Sequence, residues 1–330
     1  MEWAPKCVDV ERIGTTTEEG PIMRPPEELY TVHSEPSSVD RPVLVYAFAG
    51  FVDAGAGVRL AAEHLLAVCD HRLIATFDVD EVFDYRARRP KMSYVVDHFA
   101  AVEIPQITLH EVTDSTGVPF LLLVGPEPDY QWQRFIAAVE QLIDRFRVRL
   151  AIGLTAVPWP APHTRPLGIT VHGSEPSMLE NHPSVLGEIE VPGHVSAMLE
   201  LRLGERGTPS MGITAQVPHY LVQFEYPNAA TALLDGVANV TAMSVPKGNL
   251  VPAAARAERE IAQQLEGNDE FATVVSALEQ QYDQMAHLTS GAGGGLADLA
   301  PEGGMPTGDE IAAQVEEFLQ GLAGEADEEK

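Results

Sequence analysis

From Pro42 onward, apolar runs of strand type alternate with longer stretches that repeat an apolar residue every three or four positions. VLVYAF is followed by a helical stretch from Ala54 to Cys69, then LIATFD, FLLLVG, a second helical stretch from Tyr130 to Phe146, RLAIGLTAV, GITVHGS and SMGITAQV. Strands separated by helices, several of them apolar throughout, predict a mostly parallel sheet covered on both faces. The expected fold is therefore a three-layer α/β sandwich. After Tyr226 the period becomes helical, with one helix over Pro252 to Leu265. The next carries Phe271, Val275, Leu278, Tyr282 and Met285 at steps of three and four, a continuous apolar stripe.

The flanks lack this order. Residues 1–41 are rich in Pro, Glu, Thr and Ser without a sustained period, and read as an extended segment that wraps the domain or stays partly mobile. The α/β domain with its C-terminal helices is expected over residues 42–288, and 289–308 as a glycine-rich linker. Asp309 is the expected N-cap of an amphipathic helix over 309–323, where Ile311, Val315, Phe318, Leu319 and Leu322 share a face, and 324–330 is an acidic tail. A short amphipathic helix on such a tether should dock, on its own core or on a neighbour. No internal repeat of fixed period is visible.

Composition changes this picture mainly through charge. Apolar residues make up 45% of the 330 and charged residues 21%, ordinary for a globular protein, but the formal net charge is −28. Residues 266–330 hold fifteen acids against one base, a net −14 and half of that −28. Such a surface repels nucleic acid and anionic membranes, so neither is expected as a partner. Arg86, Arg88, Arg89 and Lys91, in DYRARRPKMSY, are the only basic cluster. Such a run is ordinarily a solvated face, but here it could also pair with an acidic neighbour. Cys7 and Cys69 lie far apart without CxxC spacing, which offers neither a disulfide framework nor a zinc site. The acidic start lacks the pattern of a signal peptide, and no apolar run approaches the roughly 20 residues that cross a bilayer. A cytoplasmic location is expected.

Candidate chemistry begins in GFVDAGAG, where the first strand ends. The loop has neither a Walker lysine nor GxGxxG, and an aspartate at its mouth would repel phosphate. It reads as a strand-to-helix turn in which Asp53 caps the helix from Ala54, accepting from the N–H of Gly55 or Ala56. LLLVGPEPD, GLTAVPWPAPHTRP and GITAQVPHY also run from strands into Pro- and Gly-rich loops. In parallel sheets these carboxyl ends share one edge, where ligand crevices form. The loops would bring Glu127, His163, Arg165, His219 and Tyr220 to the side of Asp53. Each also has a plain explanation, such as a histidine satisfying loop carbonyls. GxSxG, HExxH and a paired-carboxylate motif are absent, and no histidine pair has metal-ligand spacing. No cofactor or metal is expected, and no reaction is specified.

GFVDAG after the first strand, FDYRARRP, LLLVGPEPD with Trp132 after it, PHTRP and AQVPHY stand in an order that resembles the actinobacterial branch of the proteasome assembly chaperone-like family. The resemblance covers about Pro42 to Met285. It implies a phosphorylase/hydrolase-like fold and homo-oligomerisation, with a trimer favoured. Some relatives dock through a C-terminal hydrophobic-Tyr-any tripeptide, whereas this chain ends Glu-Glu-Lys, so that mode is not carried over. The expected function is that of a non-catalytic interaction or assembly protein, whose partners are itself and another protein. The alternative is an enzyme or small-ligand binder that uses the crevice.

Overall fold

A computed structural model of the chain describes residues 24–37, 41–180, 182, 187–265 and 269–291. Cys7, most of the glycine-rich linker, the helix expected over 309–323 and the acidic tail lie outside the described residues. The strands are β1 (Tyr30–Val32), β2 (Val43–Ala49), β3 (His71–Phe77), β4 (Met92–Val95), β5 (His98–Val102), β6 (Thr108–Thr113), β7 (Pro119–Pro126), β8 (Leu150–Trp159), β9 (Ile169–Gly173) and β10 (Ser210–Pro218). The helices are α1 (Gly57–Val68), α2 (Trp132–Arg145), α3 (Val195–Glu205), α4 (Pro227–Thr241), α5 (Leu250–Leu265) and α6 (Asp269–Gly291).

Eight strands make one sheet in the order β1-β3-β6-β7-β2-β8-β10-β9. The centre, β7-β2-β8-β10, is parallel, and antiparallel β6, β3 and β1 extend one side while antiparallel β9 closes the other. The central strands are apolar throughout because both of their faces are covered. Val43, Val45 and Ala47 of β2 pack with α1 and α4, whereas Leu44, Tyr46 and Phe48 pack with α2 and α3. This is the expected α/β sandwich. Close packing at its centre depends on Gly153, because a Cβ there would lie 2.7 Å from the ring of the fully buried Tyr46.

Four regions depart from the pattern read along the chain. Part of the N-terminal segment is ordered: Leu29, fully buried, anchors a short 3-10 turn (Pro26–Leu29), and β1 then pairs with β3 at the sheet margin. β6 hides its alternation, because Thr108 and Glu111 are buried polar residues, and Arg72 and Ser37 satisfy the Glu111 carboxylate. In α3 the buried Ser196 and the exposed Leu201 blur the apolar stripe. The insertion between β3 and β6 holds β4 and β5, a two-stranded antiparallel arm separate from the main sheet.

α5 and α6 follow α4. The apolar stripe expected on the second of them turns toward its own chain: Val275 and Leu278 are buried, and Phe271 meets Tyr220 edge-on at 4.9 Å. That stripe is therefore covered internally, not offered to a neighbour, for the residues whose side chains are described.

Candidate functional site

The carboxyl edge of the parallel strands is where a crevice is expected. The first loop there is held by its own backbone. Gly55 and Ala56 take left-handed conformations, with φ of 64° and 51°, so a 3-10 turn (Ala54–Ala56) precedes α1, which begins only at Gly57. The kink changes what Asp53 caps. Its Oδ1 accepts from the N–H of Val58 at 2.7 Å and Arg59 at 3.3 Å, not from Gly55 or Ala56. Gly55 N–H instead donates to Val222 O at 3.0 Å, Ala56 N–H to Asp53 O at 3.0 Å, and Gly57 N–H to Ala54 O. Five successive N–H groups thus have protein acceptors, which leaves this helix start without the open donors that an anion cradle uses.

The loops after β8 and β10 meet around Tyr220. Its hydroxyl accepts from the His163 N–H at 2.8 Å and pairs with His163 Nδ1 at 2.8 Å, while the His219 ring stacks edge-on at 5.2 Å. Burial pushes the Tyr220 phenol up to about 12 and holds the His163 and His219 imidazoles below their ordinary range. Arg165 faces α6. Its Nε and Nη2 hold the Asp283 carboxylate at 2.8 and 2.7 Å, and Nη1 reaches Glu279 at 3.1 Å. Thr164 also donates to Glu279, and the Tyr282 hydroxyl donates to Pro166 O at 3.1 Å. These bonds fasten α6 over the edge. Two cavities of about 420 and 430 Å³ adjoin α5: one against Tyr220, Tyr226, Ile261 and, from α6, Phe271, the other against His163, Arg165, Asn228 and Glu258.

Of the residues expected to converge, His163, Arg165, His219 and Tyr220 thus form one cluster. Asp53 instead caps α1 in the neighbouring loop, where Gly55 O accepts the Tyr226 N–H at 2.8 Å. Glu127 is elsewhere on the edge. Its two carboxylate oxygens accept from the N–H of Phe51 at 3.2 Å and of Val195 at 2.9 Å, so it joins the first loop to the start of α3. The α6 acids Glu279 and Asp283 and the wall residue Tyr226 were not legible as site residues, since nothing local sets them apart.

The basic cluster divides. Arg88 is held inside its own chain, donating to Glu127 O at 2.5 Å and Asp129 Oδ2 at 2.6 Å, with its guanidinium 4.4 Å from the centre of the Phe83 ring. Arg86, Arg89 and Lys91 are exposed at the root of the β4–β5 arm. On that arm Met92 opposes Val102 and Tyr94 opposes Phe99, with a bulge between the two pairs. Opposed residues share a face, so the bulge gathers all four onto one side. Tyr94 is 61% and Phe99 67% exposed, and Val102 and Met92 are exposed beside them.

The PAC2 family model matches residues 47–265, more than half of the chain. The chain belongs to the PAC2 family. Among solved structures, this PAC2 protein is similar to a Mycobacterium tuberculosis protein of unknown function, Rv2714, with 44% identity over 78% of this chain and 92% of that one and a TM-score of 0.76. A Corynebacterium glutamicum protein of unknown function matches at 37% identity over 78% and 98% of the two chains, with a TM-score of 0.74. The Mycobacterium tuberculosis proteasome-assembly chaperone homologue Rv2125 matches at 27% identity over 71% and 99%, with a TM-score of 0.65. None of the curated proteins matches. Among the described residues no group of three or more His, Cys, Asp or Glu could hold a metal ion, and no helix is long and apolar enough to cross a membrane.

Two consequences can be measured. Burial pushes the Asp53 carboxyl up to about 6 from an ordinary 3.8, against the pull of the Val58 and Arg59 N–H groups. The folded chain therefore holds this proton more tightly than the unfolded one, and stability falls as pH rises from about 4 to about 6. Asp53→Asn keeps an oxygen for the cap and removes the titration. In urea unfolding the wild type should lose about 2 kcal/mol relative to Asp53→Asn across that window; parallel pH profiles would exclude a raised Asp53. Arg165→Ala should release α6, so its amides should exchange faster while those of β2 and β8 stay protected. Unchanged exchange in α6 would show that the Arg165 ion pairs do not hold it.

Proposed function

We propose that this PAC2 protein is a homo-oligomeric interaction protein, which works by protein contacts in proteasome assembly and not by chemistry at the carboxyl-edge crevice. The observation that carries this reading is the apolar face of the β4–β5 arm. A two-stranded ribbon is at best marginally stable in water by itself, and this one turns Met92, Tyr94, Phe99 and Val102 outward together. Val96, at its tip, is 91% exposed with φ of 55°. A β-branched residue costs about 1 kcal/mol or more in that conformation, and Gly or Asn would fit it with less strain. An apolar side chain placed there against turn preference favours a contact role.

Charge favours a second copy as one partner. The exposed Arg86, Arg89 and Lys91 beside the arm would meet an acidic surface on a chain of net charge −28. A closed trimer is the form that the phosphorylase/hydrolase-like resemblance favours. The link to proteasome assembly rests on the family and on the likeness to the Mycobacterium tuberculosis chaperone homologue, and the cytoplasm is the compartment it implies. A second reading, an enzyme or small-ligand binder, is supported by the two cavities beside α5.

The test is the mass in solution. Light scattering at low salt should give a multiple of 35.7 kDa for the wild type, and Tyr94→Asp with Phe99→Asp should return it to 35.7 kDa without altering the circular dichroism spectrum. A monomeric wild type, or an unchanged mass in the double variant, would overturn the reading.

A further inference from the structure

The face of the sheet beneath α3 contains a chain of polar groups that neither the fold nor the crevice requires. β10 turns Met211, Ile213, Ala215 and Val217 into the core on the α1–α4 side. By alternation Gly212, Thr214 and Gln216 lie on the other face, where a second apolar layer would be the plain solution. Thr214 stands opposite Thr155 of β8 in the parallel register, and their hydroxyl oxygens are 2.7 Å apart. His172 of β9 stands opposite Gly212, and its Nε2 is 3.3 Å from Thr214 Oγ1. On the far side of the ring, His172 Nδ1 is 2.8 Å from Glu200 Oε1 of α3.

Gly212 makes this arrangement possible. A Cβ there would fall 1.9 Å from His172 Cε1 and 2.7 Å from Glu200 Oε2, so any side chain would expel the imidazole and its carboxylate together. The α3 backbone is pinned at the same point, where the fully buried Ser210 donates from Oγ to Glu200 O at 3.3 Å. Glu200 is a carboxylate, so Nδ1–H of a neutral His172 donates to it and Nε2 is left to accept. Thr214 O–H then donates to Nε2, and Thr155 O–H donates to Thr214 Oγ1. All donors run one way, from hydroxyl through imidazole to carboxylate.

We infer that Thr214, His172 and Glu200 form an acyl-accepting site for small neutral esters, with Thr214 Oγ1 as nucleophile, His172 as base and Glu200 as the positioning residue. Hydroxyl, imidazole and carboxylate in hydrogen-bonded succession are what activates a nucleophile whose free hydroxyl is inert at neutral pH. The site faces water: Thr214 is half-buried and the His172 side chain is 47% exposed. Glu200, together with Glu127 near His194, disfavours an anionic acyl group.

In the step, Thr214 Oγ1 bonds to the ester carbonyl carbon and its proton passes to His172 Nε2. The bond from that carbon to the leaving oxygen breaks, and the leaving alkoxide or phenoxide takes the proton from His172. Water, with His172 again as base, then cleaves the acyl–threonine ester to carboxylic acid and free threonine. No oxidant or further reactant is needed.

The full chain treated with p-nitrophenyl acetate should release a burst of p-nitrophenolate, and peptide mass mapping should find one acetyl group, on Thr214. Thr214→Val should abolish the burst and the label, Thr214→Ser should keep both, and His172→Gln should slow acylation by about 100-fold or more. Glu200→Gln should lower the acylation rate constant but leave the half-saturating ester concentration unchanged, a split that loss of folding would not produce. Where Thr214→Val fails to fold, Thr214→Ser and Glu200→Gln decide the matter. No burst, acetyl groups on lysine or His172 alone, or an undiminished burst in a folded Thr214→Val would overturn the assignment, leaving the chain as hydroxyls satisfied within the sheet.

Discussion

One residue ties together three parts of the molecule, two through its carboxylate and the third through its main-chain carbonyl. Glu127, one residue beyond β7, accepts the N–H of Phe51 on one oxygen and of Val195 on the other, while its own carbonyl takes Arg88. The first bond closes the loop after β2, and the second sets the start of α3. The third anchors the segment from which the β4–β5 arm departs. Gly50 lies so close that a Cβ there would be 2.7 Å from Glu127 Cβ, which lets the loop approach the carboxylate. A half-buried carboxylate with two backbone donors is a strong local constraint, because leaving either donor unpaired costs about 1–3 kcal/mol.

The remainder of the carboxyl edge is likewise bonded within the chain. Tyr220 is engaged by His163 and His219 and covered by Phe271, and Arg165 is taken up by two acids of α6. This edge stabilises the chain's own helices. Away from that edge the protein also turns outward the apolar face of the arm, with the cations at its root, and the half-exposed polar chain beneath α3. The acidity of the sequence has a consistent part in this. Against that acidity, the exposed Arg86, Arg89 and Lys91 stand out as a local positive patch.

Much of the fold was legible because burial on both faces forces apolar runs, and β2, β7, β8 and β10 were plain for that reason. β6 was not, since Glu111 sits buried in it and finds its partners in Arg72 and Ser37, far away in the chain. α3 was missed because Leu201 faces water where a polar residue would mark the outer side. The Arg165–Asp283 pair spans 118 positions and has no local signature. The arm could have been found in MSYVVDHFAAV, two runs of strand formers around a two-residue turn. Its turn, Val96–Asp97, lacks the Asn-Gly or Asp-Gly that announces a hairpin, and the bulge that unites its apolar face is invisible to simple alternation. Asp53 was legible as a cap, but its partners were not, because the kink at Gly55 and Ala56 delays the helix.

The claim that the Glu127 carboxylate joins the first loop to the start of α3 is most directly tested by amide hydrogen exchange in Glu127→Ala. If it is right, the amides of Phe51 and Val195 lose protection together, while the segment at Arg88, held by the main-chain carbonyl and by Asp129, and the amides of β2, β8 and β10 keep their protection. Loss at one of the two amides alone, or protection unchanged at both, would contradict it.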